Sequence, residues 1–155
     1  MTNLLTQLRK AVWTALDADD DLDAFLGTGR RYRLDGEGYD PRRIAPGDCP
    51  CLVVQPVAAP AEPVTPVHDR IDAVFAIRGM VHSRSAEPIE TFYALLRDAL
   101  MRADFGIDGI RARRLEKPVF EGPLSGKTPP GFWAFDARLV LTLRVRRSDP
   151  LTSTT

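Results

Sequence analysis

The chain has 155 residues, 44% of them hydrophobic, with 21 basic and 21 acidic side chains and a formal net charge of zero. That length fits one domain with a few arms, and a chain of this size buries roughly 70% of the surface its unfolded form exposes. Neutral balance with 27% charged residues excludes wholesale disorder and a general polyanion binder. No apolar run nears the ~20 residues of a membrane helix. Met1 to Lys10 lacks a signal-peptide layout, so a soluble cytoplasmic chain is expected. Arginine supplies 18 of the 21 basic positions, and its planar fork suits interfaces better than lysine does.

Leu4, Leu5, Leu8, Val12, Ala15 and Leu16 recur at three- and four-residue steps, predicting an amphipathic helix with Thr2 or Asn3 as N-cap. The acidic run Asp17, Asp19, Asp20, Asp21 and Asp23 breaks that pattern. Carboxylates suit the start of a helix and oppose its end, so a second short helix carries Leu22, Phe25 and Leu26 and stops at Gly27 and Gly29. Residues 30–50 show turn residues and scattered charge without periodicity. Leu52 to Val54 reads as a short strand between Pro50 and Pro56. Val57 to Asp69, with Pro60, Pro63 and Pro66, reads as an extended arm.

Alternation returns at Ile71 to Val81 and predicts a long half-buried strand. Ser85 is the expected cap of a helix from Glu87 to Ala103, striped by Ile89, Phe92, Leu96, Ala99 and Leu100. Residues 107–120 are β-like but change phase, which places a bulge near Arg113 and Arg114. After a loop over Glu121 to Phe132, the run Trp133 to Val145 alternates without a miss. Adjacent strand pairs favour antiparallel hairpins. The expectation is an α+β domain over residues 1–147: a mainly antiparallel sheet of four or more strands, two main helices on one face, and extended loop arms. A polar tail, residues 148–155, follows.

Candidate chemistry thins out under inspection. Gly122 to Thr128 approximates a P-loop, but only three residues separate Gly122 from Gly126, and Pro129 and Pro130 follow where a helix should open. Cys49 and Cys51 are half a metal site at most, with only His68 and His82 to complete it. The aspartate run lacks the glycine and closing glutamate of an EF-hand loop. Ser83 and Ser85 sit in no nucleophile-elbow setting. No catalytic, metal or cofactor residue is therefore expected. What remains is charge: Arg111, Arg113 and Arg114 on one strand, and Arg144, Arg146 and Arg147 on its hairpin neighbour, form a basic patch able to set the register of an assembly. No aromatic signature interleaves these arginines, so sequence-specific nucleic-acid binding is not expected.

This order of elements, with its long uncharged arm and glycine-rich loop, resembles the tail-terminator (tail-completion) proteins of long-tailed bacteriophages and related gene-transfer particles. The resemblance runs from about Leu4 to Arg147 and rests on element order and texture. It implies a non-enzymatic virion protein of the tail or neck, assembled in the bacterial cytoplasm. Such proteins form a hexameric ring on the tail tube protein, stop tube polymerisation, receive the head-completion or connector protein, and leave a passage for DNA. On that reading Arg111, Arg113, Arg114, Lys127, Arg144, Arg146 and Arg147 are interface candidates, and Asp19, Asp20, Asp21 and Asp23 form the complementary acidic surface. Alternatives are a head-side neck adaptor or a small ligand-binding α+β domain.

Overall fold

The computed structural model describes residues 4–32, 39–40, 43–125 and 128–146, with the Ser125 side chain set aside. The chain order is α1 (Leu4–Ala18), α2 (Asp20–Leu26), β1 (Arg31–Tyr32), β2 (Cys51–Ala58), β3 (Ala61–Pro63), β4 (His68–His82), α3 (Glu87–Arg102), β5 (Ile110–Leu115), β6 (Val119–Glu121) and β7 (Phe132–Arg146), with 3-10 turns at Pro46–Asp48 and Pro123–Ser125. It is an α+β fold, a seven-stranded sheet of order β1-β2-β4-β7-β5. Every pairing is antiparallel except β1 with β2.

Two 15-residue strands form the centre. β4 and β7 pair in unbroken register from His68↔Arg146 to His82↔Phe132. Their odd-numbered positions, including Ile71, Phe75, Ile77, Phe135, Leu139 and Leu143, are buried with Leu8, Leu16, Leu22, Leu96 and Leu100 of the helices in one core. Period-two alternation in the strands thus meets a 3.6-residue stripe in the helices, and each large side chain so buried contributes about 1.5–3 kcal/mol. Phe92 stands at the centre, its ring 5.2 Å from that of Phe25 and 5.1 Å from that of Phe135. Phe135 in turn lies over Gly79, where an added Cβ would come within 2.2 Å of the ring. A second, smaller cluster lies on the other face, where Tyr32, Ile44, Cys51, Val53, Met80, Phe132 and Ala134 pack together.

Several elements differ from the sequence-based expectation. β2 runs on through Pro56 to Ala58, because β1 reaches only Leu52 and Val53; beyond them β2 is an edge, where a missing N–H leaves no gap in a ladder. Its register then shifts between Pro56 and Ala58. The expected arm contains β3, which pairs with β4 at Asp69 to Ile71. The bulge falls between Ile110 and Ala112, ahead of Arg113, and the phase change that suggested it is completed by the break between β5 and β6. Ala86, not Ser85, holds the N-cap position of α3 and makes no side-chain cap bond; Pro88 and the first-turn Glu87 and Glu90 supply the start signal instead. Thr2, Asn3 and the tail 148–155 lie outside the described residues.

Candidate assembly interface

The acidic run does two jobs. Asp19 caps α2, its carboxylate accepting a hydrogen bond from the Leu22 N–H at 2.9 Å, and lies 3.3 Å from Arg102 of α3. Asp23 and Asp17 both hold Arg31, at 2.5 and 2.6 Å, which ties β1 to the α1–α2 corner. Arg31 is partly buried, and its guanidinium pKa is raised: desolvation works against the charge, but its hydrogen bonds to Asp23 and Asp17 and their negative charges outweigh it. Asp20 and Asp21, on the first turn of α2, remain exposed.

The arginines separate by strand parity. Arg113 lies opposite Leu141, hence on the helix-covered face. There its Nη1 donates to the Leu100 carbonyl at 2.9 Å and to the Ala103 carbonyl, and its guanidinium stacks 4.7 Å from the centre of the Phe105 ring. These carbonyls belong to the end of α3, so Arg113 closes a helix whose last acceptors have no internal donors. Arg114 lies opposite Val140 on the uncovered face and pairs with Glu116 at 3.4 Å. Arg144 and Arg146 are exposed on the same face of β7. Arg111, at the bulge, is exposed as well. Lys127 and Arg147 lie outside the described residues.

The sheet adds two cations that the sequence clusters omit. Arg70 of β4 sits directly opposite Arg144, with His68 opposite Arg146, and Arg138 is exposed on the same face of β7. Like charges facing each other across a ladder are destabilising, and Asp72 relieves Arg70 at 3.3 Å. Among the described residues Arg138 and Arg144 form no ion pair. This end of the open face therefore carries excess positive charge and suits an acidic surface. Arg138 was readable from the alternation of residues 133–145. Arg70 was not, because its place opposite Arg144 exists only once the strands are registered.

Further along, the same face is closed by an ionic clasp. Arg78 donates to Asp136 at 2.6 Å and lies 3.5 Å from Glu121 of β6. Burial opposes its charge, but Tyr39, Asp136 and Glu121 outweigh burial and raise its pKa. The P-loop-like segment closes on itself: Thr128 is buried, with its hydroxyl 3.1 Å from both the Gly122 and Phe132 carbonyl oxygens. Cys51 is buried at the start of β2 beside Cys49. Among the described residues no group of three or more His, Cys, Asp or Glu is placed to hold a metal ion, and no helix is long and apolar enough to cross a membrane.

No family model and no curated protein matches the sequence. Among solved structures, a chain from "Virion of native gene transfer agent (GTA) particle" aligns with a TM-score of 0.62, covering 88% of this chain and 94% of that one. The two chains share one fold. Sequence identity is 16%, so the likeness lies in the arrangement of elements, while the cationic open face and acidic α2 corner are described from this chain alone.

Proposed function

We propose that this chain is a structural, non-catalytic component of a phage-like virion, acting as the tail terminator. Copies form a ring, a hexamer, at the head-proximal end of the tail tube, stop its polymerisation and present a surface to the head-completion or connector protein, with DNA passing through. The observation that carries this reading is the fold likeness to a GTA virion chain over most of both chains. The charge layout supports it. Arg111, Arg114, Arg144 and Arg146, joined by Arg70 and Arg138, offer a cationic surface, and Asp20 and Asp21 offer an acidic one at a corner of the helical layer. Unlike surfaces at separate places on one chain make head-to-tail contacts, which form a ring where the rotation between copies closes. Arg113, Asp19 and Asp23 support the fold around these surfaces through the bonds described above.

Electron microscopy of particles from a gene-deletion strain tests the proposal. Overlong, headless tubes are expected. Normal-length tails beside filled, tailless heads would move the protein to the head side of the joint, and intact particles would overturn the virion role.

A further inference from the structure

The exposed large apolar side chains fall mainly at two places. Val57, Val64 and Val67 are 48–53% exposed on the arm that runs from the end of β2 through β3 to the turn before β4, called here the β2–β3 arm, and Val119, Phe120 and Leu124 are 59%, 45% and 102% exposed around β6. The arm is preformed. Val64 and Thr65 N–H groups both donate to the His68 carbonyl, at 3.1 and 3.2 Å, and the Thr65 hydroxyl accepts from the His68 N–H at 3.0 Å. A tip fixed in this way loses little conformational freedom on docking. Beside β6 an open cleft of about 370 Å³ is lined by Ala76, Val119, Glu116, Lys117, Asp136 and Arg138.

The charges match as well. Glu62 is the sole ionisable side chain from Val57 to Val67, and it is exposed. In the cleft, Glu116 is paired with Arg114 and Asp136 with Arg78, whereas Lys117 and Arg138 form no ion pair among the described residues. Glu62 faces Arg70 across the ladder but forms no ion pair among the described residues, so one exposed anion on the arm corresponds to two such cations in the cleft. They cannot meet within one chain. Glu62 aligns with Arg70 and so with Arg144, while the Glu116 N–H bonds to the Arg138 carbonyl. That register leaves six residues along β7 and three strand spacings between them, about 24 Å.

We propose that the β2–β3 arm of one copy docks into the β6 cleft of the next, with Val64 and Val67 against Val119 and Glu62 against Lys117 and Arg138. This contact rests on the ring reading for its need of a second copy, and it supplies a head-to-tail geometry from opposite edges of the sheet. The chain has three lysines, Lys10, Lys117 and Lys127, so a zero-length carbodiimide links few pairs and its products are unambiguous. The test applies carbodiimide to the full chain at its highest soluble concentration and in assembled particles, followed by peptide mass spectrometry. A Glu62–Lys117 link in multimers, absent from Glu62→Gln, is the expected result. Glu62→Lys should weaken self-association about tenfold, and adding Lys117→Glu should restore it. Multimers without this link and indifferent to Glu62→Lys would overturn the arm contact and leave the ring standing. A chain that is monomeric both in solution and in particles would overturn both.

Discussion

Arg113→Ala separates a fold-supporting arginine from an interface one. The side chain serves the Leu100 and Ala103 carbonyls at the end of α3 and lies over Phe105. Hydrogen bonds from a charged donor contribute about 1.5–3 kcal/mol each, and a cation over an aromatic ring from about 0.5 kcal/mol when exposed to about 2 kcal/mol when desolvated; the Phe105 ring is buried. The site is half-buried, so we take the lower end of each range, and two hydrogen bonds with the ring contact give an expected loss of about 3–4 kcal/mol. For a chain of this length that lowers Tm by about 8–12 °C. Urea unfolding of Arg113→Ala, Arg113→Lys and Arg114→Ala measures it. Lysine keeps the charge but not the fork and should recover about half. Arg114, exposed and paired only with Glu116, should change stability by under about 0.5 kcal/mol. Combining Arg113→Ala with Phe105→Leu should show coupling of about 0.5–1 kcal/mol. Equal losses at Arg113 and Arg114, or no coupling to Phe105, would refute the assignment.

Other consequences are as direct. Gly79→Ala should cost about 1–3 kcal/mol by denaturant titration, since its methyl would overlap the Phe135 ring; Gly47→Ala, where an added Cβ meets nothing within 4 Å, should be neutral or slightly stabilising. Asp19→Ala removes the α2 cap and its contact with Arg102 and should cost about 1 kcal/mol in the same assay; no loss would mean that α2 is held by its packing alone. The two thiols should differ sharply in reaction with a disulfide reagent at mildly alkaline pH. The Cys51 thiol donates to Cys49, which lowers the Cys49 pKa, and that same bond together with burial raises Cys51. Cys49 should react in the native state and Cys51 only on unfolding, as read from Cys49→Ser and Cys51→Ser variants; equal rates would contradict the hydrogen bond.

Legibility in the sequence followed the range of the interactions involved. α1, α3, β4 and β7 were readable because each carries its own periodicity: Leu8, Val12 and Leu16 make a stripe, and residues 133–145 alternate throughout. β1 carries none. Its two residues are held by Arg31 reaching Asp17 and Asp23 and by Tyr32 packing with Met80 and Phe132, partners up to a hundred positions away. The continuation of β2 through Pro56 depended on where its neighbour stops. For the interface, the acidic run and the two arginine clusters were visible as composition, but which arginines face outward depended on the bulge between Ile110 and Ala112. Consecutive Arg113 and Arg114 take opposite faces in any strand, but one extra residue at the bulge inverts the parity of those that follow, and so decides that Arg113 is the one under the helices.

The unbroken register of β4 with β7 has a mechanical consequence. Fifteen paired residues per strand make a beam about 46 Å long, with the β2–β3 arm near one end and β6 near the other. A slip of one position would turn one strand over against the other, carrying either Arg78 of β4 into the helix-packed layer and Phe75 out of it, or Asp136 of β7 in and Phe135 out, so the beam has one stable length setting. The separation between those two ends is therefore a gauge fixed by strand pairing. The turn at residues 64–67 can vary in sequence without changing that separation, which under the proposed arm contact sets the spacing between one copy and the next.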